Sequence, residues 1–274
     1  MAISVFIGCS GWYYFPHWKG KFYPEELPTS KWFSYYTAKF NAVELNSSFY
    51  RIPKLQNVKT WVRNVKLIPP ESFKYSVKMS KSITHEARLD LKACEGYMKE
   101  FFSAIAFLKG YLGAILLQFP PSFKQSDENM QKLVGFKAWI EKARDLALFE
   151  GIDLGAIPFV VEFRHSSWFQ ESVIAAIQDA GLVFAVIDTP ARAKLPVIYT
   201  GRDVMYLRLH GHDPVKWYRY NYTDVELKTI KNSINEIARN SGTKAVYVFF
   251  DNDYGANAPV NAITLMNLIN SNDG

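Results

Sequence analysis

Eight short apolar runs recur along the chain, and most of them are rich in β-branched or aromatic residues. Their hydrophobicity is nearly continuous, which is typical of parallel strands covered on both faces, whereas a sheet with one wet face alternates apolar and polar residues. The runs predict eight strands, at residues 3–8, 42–46, 74–78, 113–118, 158–163, 182–187, 204–209 and 245–250.

Helical periodicity fills most of the gaps between these runs. After the third run, for example, Tyr97, Phe101 and Ile105 recur at helical spacing. The sixth gap, residues 190–203, shows no convincing periodicity, so the sixth helix is expected to be missing or irregular. Strand and helix alternate through residues 1–274, which predicts an α/β fold with a parallel sheet, and eight units favour a single TIM-like (β/α)8 barrel domain.

An open doubly wound sheet is the alternative fold. In its dinucleotide-binding form, this fold needs a glycine-rich fingerprint after the first strand. The sequence Gly8-Cys9-Ser10-Gly11-Trp12 does not match that fingerprint. A closed barrel is therefore the favoured architecture.

Composition changes this picture little. The chain is 49% hydrophobic and 21% charged, as in ordinary soluble domains. Its net charge of +6 is spread along the sequence and forms no stripe for nucleic acid. The two cysteines have no zinc or redox spacing, and no segment approaches the roughly 20 apolar residues of a membrane span. We expect a cytoplasmic protein with no membrane partner.

Polar side chains close several of the predicted strands or follow them in loops. Active sites of α/β barrels are built at these strand ends. The candidate catalytic residues are Glu44, Lys78, Glu162 and His210. The candidate substrate-binding residues are Ser10, Trp12, Asn46, Tyr50, His85, Gln118, Arg164, His165, Trp168, Asp188, Arg208, Asp251, Asn252 and Asp253.

The two-residue period of a strand places Glu162 with Arg164, and Arg208 with His210, on shared faces. Burying such charges is costly unless they pair with each other or with a ligand. An internal salt-bridge network is therefore the structural alternative to a functional site. The aromatic segment that begins at Trp12 either covers a ligand or packs on the rim, and its prolines favour packing.

Known barrel mechanisms constrain the chemistry. A common retaining glycosidase needs carboxylates where strands four and seven end, but this chain has Gln118 and Arg208 there. Lys78 is eligible to form a Schiff base or to anchor an oxyanion. No cofactor is assigned. A divalent metal is the less favoured option because its ligands lack metal-type spacing. Those ligands would come from Glu44, Glu162, Asp188, His210 and Asp251.

Seven ordered motifs carry a family resemblance. They are residues 8–12 (GCSGW), 22–24 (FYP), 43–51 (VELNSSFYR), 118–123 (QFPPSF), 162–168 (EFRHSSW), 208–211 (RLHG) and 249–253 (FFDND). Together they resemble the YecE-like family, a domain of unknown function, from the first strand to the last helix. The resemblance implies a TIM-like barrel but no reaction or substrate. Family members often have an uncharged residue where Asp251 stands, so the extra carboxylate puts a shared anion-binding role in doubt.

The leading functional hypothesis is an enzyme that performs acid–base chemistry on a small polar, sugar-like or sugar-phosphate-like molecule. Glu44 or Glu162 would be the base, and His210 would carry a proton. Lys78 and Arg208 would stabilise negative charge, while Asn46, Gln118 and Arg164 would orient the substrate. The alternatives are a non-catalytic nucleotide-binding or nucleic-acid-binding module and a metal-dependent phosphodiesterase. The oligomeric state is not predicted.

Overall fold

The computed structural model describes residues 3–146, 149–189, 203–213, 215, 217–240 and 242–271. Contacts between Cα atoms divide the chain into two compact units. Unit 1 comprises Met1–Glu44 and Val186–Gly274, and unit 2 comprises Leu45–Ala185. The predicted irregular sixth helix falls on residues 190–203, of which 190–202 lie outside the described residues. The single domain over residues 1–274 stays a prediction.

Strands and helices alternate along most of the described chain, as the apolar pattern predicts. The strands are β1 (Ser4–Cys9), β2 (Ala42–Leu45), β3 (Lys74–Lys78), β4 (Leu112–Gln118), β5 (Phe159–Glu162), β6 (Val183–Phe184), β7 (Val186–Asp188), β8 (Val204–Leu209) and β9 (Ala245–Phe250). The helices are α1 (Trp32–Thr37), α2 (Ser47–Tyr50), α3 (Leu55–Val65), α4 (Leu91–Ile105), α5 (Asp127–Asp145), α6 (Glu171–Asp179), α7 (Asp224–Asn240) and α8 (Asn257–Asn270).

Every strand pair whose register is described is parallel. One sheet has the strand order β1-β9-β8-β7, and the other has the order β2-β3-β4-β5-β6. Most strand side chains are buried, including all of those in β2 and β5. The predicted α/β fold with parallel sheets is therefore confirmed.

The predicted count of eight strands in one closed sheet is not confirmed. The sixth apolar run forms two short strands, β6 and β7, which are separated at Ala185. β6 pairs with β5 and β7 pairs with β8, while the N–H of Ala185 donates to the carbonyl of Val161 at 2.9 Å. The described residues thus form nine strands in two sheets. An apolar run predicts a strand, but it does not specify the neighbour with which each end pairs.

Two side chains form hydrogen bonds with main-chain groups of β1 and of the start of β2, which are strands of different sheets. The amide of Asn41 accepts from the N–H of Ile7 at 2.7 Å and donates to the carbonyl of Val5 at 2.8 Å. The hydroxyl of Tyr36 accepts from the N–H of Cys9 at 2.7 Å and donates to the first carbonyl of β2 at 2.9 Å. Two polar side chains therefore satisfy main-chain groups here in place of a ladder.

The aromatic segment after β1 packs into the core of unit 1. Trp18, Tyr23 and Trp32 are fully buried, and the rings of Tyr23 and Trp32 stack with centroids 4.2 Å apart. Tyr13 and Phe15 are the exposed members of the segment. These contacts support the packing interpretation of this segment. None of the described helices combines the length and apolar composition needed to cross a bilayer.

We predict that Gly8→Ala lowers the free energy of unfolding by about 3 kcal/mol or more, because overpacking against a rigid backbone is costly. A Cβ at Gly8 would lie 2.0 Å from the carbonyl oxygen of Ala42 and 2.7 Å from the hydroxyl of Tyr36. Urea denaturation measures the change. Gly96→Ala is the control, since its Cβ would meet nothing within 4 Å in helix α4. We expect roughly 0.5–1 kcal/mol of stabilisation there. Equal effects in the two variants would contradict the close approach of β1 and β2.

Candidate functional site

Charged and polar side chains at the strand ends form two clusters, one in each unit. The unit 1 cluster consists of Ser10, Glu44, Tyr206, Arg208, His210 and Asp251. The unit 2 cluster consists of Phe49, Lys78, His85, Gln118, Glu162 and Arg164. Most of these residues are among the candidates that the sequence predicts.

Strand geometry brings the unit 1 cluster together. Ser10 and Asp251 directly follow β1 and β9, which are paired in register. Tyr206, Arg208 and His210 alternate along β8 and its carboxyl end, so their side chains share one face. The parallel arrangement of these strands places the residues that follow them at the same edge of the sheet.

The buried carboxylate of Glu44 accepts hydrogen bonds on both of its oxygens. Oε1 accepts from the hydroxyl of Ser10 and from Nη2 of Arg208, each at 2.7 Å. Oε2 accepts from the hydroxyl of Tyr206 at 2.7 Å and from Nε of Arg208 at 2.9 Å. The guanidinium thus binds the carboxylate through two parallel bonds. Because its oxygens are occupied, Glu44 is better suited to positioning Arg208 than to accepting a proton.

Arg208 also contacts His210 and Asp251. Its Nη1 lies 3.2 Å from Nε2 of His210, and its Nη2 lies 3.1 Å from Oδ2 of Asp251. A guanidinium has only donors, so Nε2 of His210 accepts and the neutral ring carries its proton on Nδ1. That Nδ1 is 2.9 Å from Oδ2 of Asp251, although its N–H is not aligned for a hydrogen bond. His210 therefore bridges a guanidinium and a carboxylate.

Asp253 lies partly exposed, two residues beyond Asp251. Burial raises the pKa of Asp253 to about 7, and the negative charge of Asp251 adds to the increase. The indole N–H of Trp18 donates to the main-chain carbonyl of Asp253 at 2.8 Å, which holds the loop in place. This carboxyl can therefore gain or lose a proton near neutral pH, whereas Asp251 is bonded to Arg208.

Asp188 lies in a different set of hydrogen bonds in unit 1, centred on His212. Nε2 of His212 is 2.5 Å from Oδ1 of Asp188, and Nδ1 is 3.3 Å from Oε1 of Glu226. The hydroxyl of Tyr222 donates to the other oxygen of Asp188 at 2.8 Å, and that of Tyr220 donates to Glu226. The imidazole is thus held between two carboxylates, each bonded to a tyrosine.

In unit 2, Lys78 lies at the carboxyl end of β3. Its Nζ donates to Oε1 of Gln118 at 2.6 Å and lies 4.3 Å from the ring centroid of Phe49, within the range of a cation–π contact. The hydroxyl of Ser48 donates to the carbonyl of Lys78 at 2.6 Å, which ties α2 to the strand end. The position of the ammonium group is therefore well defined.

Glu162 and Arg164 form an ion pair at the end of β5, on a shared face as their spacing predicts. Nη2 of Arg164 is 2.6 Å from Oε1 of Glu162, which is fully buried, whereas the side chain of Arg164 is 15% exposed. The register of β4 and β5 places Gln118 beside Glu162. Lys78, Gln118 and Glu162 therefore follow one another across the ends of three neighbouring strands.

His85 belongs to a short π-helical turn, Ser82–Glu86, after β3. Its ring packs edge-to-face against Phe49, with centroids 4.9 Å apart. Burial lowers the pKa of His85 to about 4, and the positive charges of Lys78 and Arg164 lower it further. The imidazole is therefore neutral at physiological pH.

Three aromatic candidates lie outside both clusters. Trp12 packs against Phe33 with ring centroids 4.5 Å apart. The fully buried Trp168 donates its indole N–H to the carbonyl of Phe123 at 2.8 Å. Tyr50 is 73% exposed. Trp12 and Trp168 therefore have packing contacts that account for their positions, and Tyr50 faces solvent.

Three polar candidates lie in the loops that follow β2, β5 and β9. Nδ1 of His165 accepts from the N–H of Ser167 at 3.2 Å, so this histidine caps a 3₁₀ turn. Nδ2 of Asn252 donates to Oδ1 of Asn261 at 2.9 Å. Asn46 directly follows β2 at the N-cap position of α2, where its side chain makes no capping hydrogen bond. Polar residues in strand-end loops can thus serve the backbone as readily as a ligand.

The structure adds residues to which the sequence assigns no role. Tyr206 was accessible to sequence reasoning, because it stands two residues before Arg208 on the same strand face. His212 follows the eighth strand run in a polar loop, whereas Phe49 and Glu226 carried no local signal. Their roles depend on partners distant in sequence, such as Lys78 for Phe49.

Within the described ranges, no group of three or more His, Cys, Asp or Glu side chains is arranged to hold a metal ion. The carboxylates predicted as metal ligands instead contact cationic or imidazole side chains of the protein. The geometry therefore lends no support to the metal-dependent phosphodiesterase.

Comparison with known proteins gives a match over nearly the whole chain. The model of a family described as "Protein of unknown function DUF72" matches residues 6–274. The UPF0759 protein YunF from Bacillus subtilis is 27% identical over 292 residues, which cover 97% of this chain and 94% of that protein.

Two solved structures are similar. The crystal structure of a DUF72 family protein from Thermotoga maritima is 31% identical, with a TM-score of 0.73, and the match covers 97% of this chain and 99% of that one. A D-psicose 3-epimerase solved in the presence of D-fructose is 11% identical, with a TM-score of 0.54, and the match covers 88% of this chain and 92% of that one. At that identity, the second likeness concerns the fold alone.

We predict that Glu44→Gln lowers the free energy of unfolding by about 3 kcal/mol, because removing one member of a buried ion pair leaves the other charge poorly compensated. Arg208, the partner of Glu44, is 1% exposed. Thermal and urea denaturation measure the loss. Glu128→Gln is the matched control, since the Glu128 side chain is 77% exposed and its pair with Lys132 lies on the surface of α5. A stability loss no larger than in the control would contradict a buried pair.

A second prediction concerns pH. Asp253 has a raised pKa in the folded protein, so ionisation disfavours the folded state as pH rises from the unfolded value near 4 to the folded value of about 7. Asp253→Asn removes this ionisation. The stability advantage of Asp253→Asn over the wild type should be small at pH 4. It should grow by about 1.4 kcal/mol per pH unit up to pH 7 and then level off. Denaturation of both proteins from pH 4 to above pH 7 tests this prediction. A stability difference that does not depend on pH would refute the raised pKa of Asp253.

Proposed function

The chain belongs to DUF72, a family of proteins of unknown function, and we propose that it is an enzyme that performs acid–base chemistry on a small polar molecule at the unit 1 cluster. The observation that carries the proposal is the pair of aspartates after β9. Asp251 is bonded to Arg208, whereas the pKa of Asp253 is raised to about 7. A carboxyl group whose pKa lies near the working pH is a common basis for acid–base catalysis.

Asp253 is the proton-transfer group in this proposal. Near pH 7 it is about half protonated, so it can accept a proton in one step and return it in the next. It is also more exposed than Glu44 and Arg208, so a ligand can approach it more readily. The sequence makes Glu44 or Glu162 the base. We assign Glu44 a positioning role because both of its oxygens already accept hydrogen bonds.

Arg208 and His210 both contact Asp251, the other aspartate of the pair. The guanidinium fixes Asp251 at 3.1 Å and the imidazole of His210 at 3.2 Å, so the three groups keep one arrangement. A preorganised set of charges stabilises charge that develops in a transition state without reorganisation at that moment. The neutral His210 ring fits the proton-carrying role predicted from the sequence, because its Nδ1 faces Asp251.

The substrate class in this proposal is a sugar or a sugar phosphate. The fold-level likeness to a D-psicose 3-epimerase supports a sugar-like substrate, and the strand-end position of the cluster supports a site at the mouth of a TIM-like barrel. The closed barrel belongs to the same proposal, supported by the parallel pairing in both sheets. The roles that the sequence predicts for Lys78 and Glu162 concern residues of unit 2 and stay predictions outside this proposal.

Proton abstraction next to a carbonyl is detectable without knowing the product, because the carbon acquires deuterium from D₂O. We expect NMR to show protein-dependent exchange in at least one member of a panel of aldoses, ketoses and their phosphates. Asp253→Asn should lower the exchange rate by about 100-fold or more, since general acid–base groups contribute on this scale. In the wild type, the rate should change with an apparent pKa near 7.

Glu128→Gln serves as the control for the exchange assay, because Glu128 lies exposed on α5. It should exchange at the wild-type rate. Circular dichroism establishes that each variant is folded. Absence of exchange across the panel in folded wild-type protein would contradict a reaction of this kind on a sugar. Exchange that persists undiminished in Asp253→Asn would contradict the role of Asp253.

A further inference from the structure

Helix α8 carries no charged residue along its whole length. Small and apolar residues such as Ala258 and Leu265 form its buried side. The side that water reaches is also apolar, since Val260 is 52% exposed and Ile263 and Met266 are half-buried. A helix at the surface ordinarily presents charged or polar residues to water. The outer side of α8 is therefore suited to contact with another apolar group.

A groove of about 480 Å³ lies against this outer side of α8, within unit 1. Val260, Ile263 and Met266 line it from α8, while Phe22 and Tyr35 line it from the segment after β1 and from α1. The rings of Phe22 and Tyr35 pack edge-to-face with centroids 5.4 Å apart, which fixes that wall. Sites for small molecules are mostly lined by such apolar and aromatic side chains.

The charge at the groove is positive. Among the described residues that line it, two are lysines and none is acidic. Lys21 and Lys39 are both exposed, and Nζ of Lys39 lies 5.7 Å from the ring centroid of Tyr35. Glu25, the acidic residue nearest to Lys21 in sequence, pairs with Lys19 at 3.2 Å instead. Neither groove lysine forms an ion pair with any residue that the structure describes, so an anion at the groove would meet uncompensated positive charge.

The size of the groove favours a small molecule over a protein partner. Its volume lies within the range of about 300–1,000 Å³ that is typical of small-molecule sites. A standard protein–protein interface involves about 20–30 residues on each side, whereas ten of the described residues line this groove. The ligand that fits combines a hydrocarbon part with a negative charge.

We propose that the groove binds a free fatty acid, a single hydrocarbon chain that ends in a carboxylate. The chain lies against Val260, Ile263 and Met266, and the carboxylate pairs with the lysines of the groove. Each CH₂ group that leaves water strengthens binding by up to about fourfold. None of the residues of the unit 1 cluster lines the groove, so the inference does not depend on the proposed function.

Calorimetric titration of the full chain tests the apolar and the charged parts of the site separately. The ligands are dodecanoate, octanoate and dodecyltrimethylammonium, each below its critical micelle concentration. We expect dodecanoate to bind at least about tenfold more tightly than octanoate, whose chain is shorter, and than the cationic ligand, whose chain is equally long. Equal affinity for octanoate would refute burial of the chain, and equal affinity for dodecyltrimethylammonium would refute a role for the lysines. Binding to phosphatidylglycerol vesicles without binding of dodecanoate would overturn a free fatty acid as the occupant.

Val260→Glu and Val225→Glu form a matched pair of variants. Both place a carboxylate on an exposed valine in the first turn of a helix, but Val225 lies on α7, outside the groove. Val260→Glu should weaken dodecanoate binding by at least about tenfold, because its charge repels the ligand carboxylate, and Val225→Glu should leave the affinity unchanged. Equal affinities in the two folded variants would overturn the site.

The lysines are tested by a second pair of variants. Lys21→Met/Lys39→Met keeps hydrocarbon side chains at the groove but removes both charges. Lys59→Met/Lys66→Met removes two exposed lysines of unit 2 and serves as the control. We expect the first variant to bind dodecanoate at least about tenfold more weakly than the second. The same affinity in both would contradict pairing of the carboxylate with the groove lysines.

Met266 provides a readout in the wild-type protein that does not require any charge variant to fold. With ¹³C in the methionine methyl groups, dodecanoate should shift the NMR signal of Met266, which lines the groove. It should leave that of Met98, which is fully buried in α4 of unit 2, unchanged. Met266→Leu identifies the signal. An unchanged Met266 signal at saturating dodecanoate would overturn the location of the site.

Discussion

The buried ion pair of Glu44 and Arg208 is the interaction on which the rest of the unit 1 cluster depends. Both side chains are almost completely removed from solvent, and a buried charge is stable only when its hydrogen bonds are satisfied. Ser10 and Tyr206 donate to the carboxylate, and Asp251 accepts from the guanidinium. Residues at the ends of β1, β2, β8 and β9 are thus held in one geometry by the requirements of a single pair.

The Glu44–Arg208 ion pair distinguishes side chains that are bonded to each other from Asp253, whose carboxyl group can titrate near neutral pH. Glu44 and Arg208 direct their bonding groups at each other, so they act mainly on their neighbours. Asp253 lies two residues beyond Asp251, where burial and the charge of Asp251 raise its pKa. A carboxyl group in that position costs stability in its ionised form. Such local cost is common where a protein prepares a group for chemistry.

Both clusters contain a buried ion pair, but they differ in the group whose pKa is shifted. In unit 1, carboxylates surround one guanidinium, and the titrating group is an aspartate whose pKa is raised. In unit 2, a lysine and an arginine lie near a histidine whose pKa is lowered. The same strand-end architecture therefore raises the pKa of a carboxyl group in unit 1 and lowers that of an imidazole in unit 2.

Sequence by itself determined the parallel α/β class, because fully covered strands must be apolar on both faces. It also determined that Glu162 and Arg164, and Arg208 and His210, share strand faces, because the strand period is two. Tertiary structure decided that the run around Ala185 pairs with two different strands. It also decided that Trp168 packs in the core, and that His212 binds Asp188. These outcomes, like the pKa of Asp253, depend on burial and on distant partners, which a local pattern does not encode.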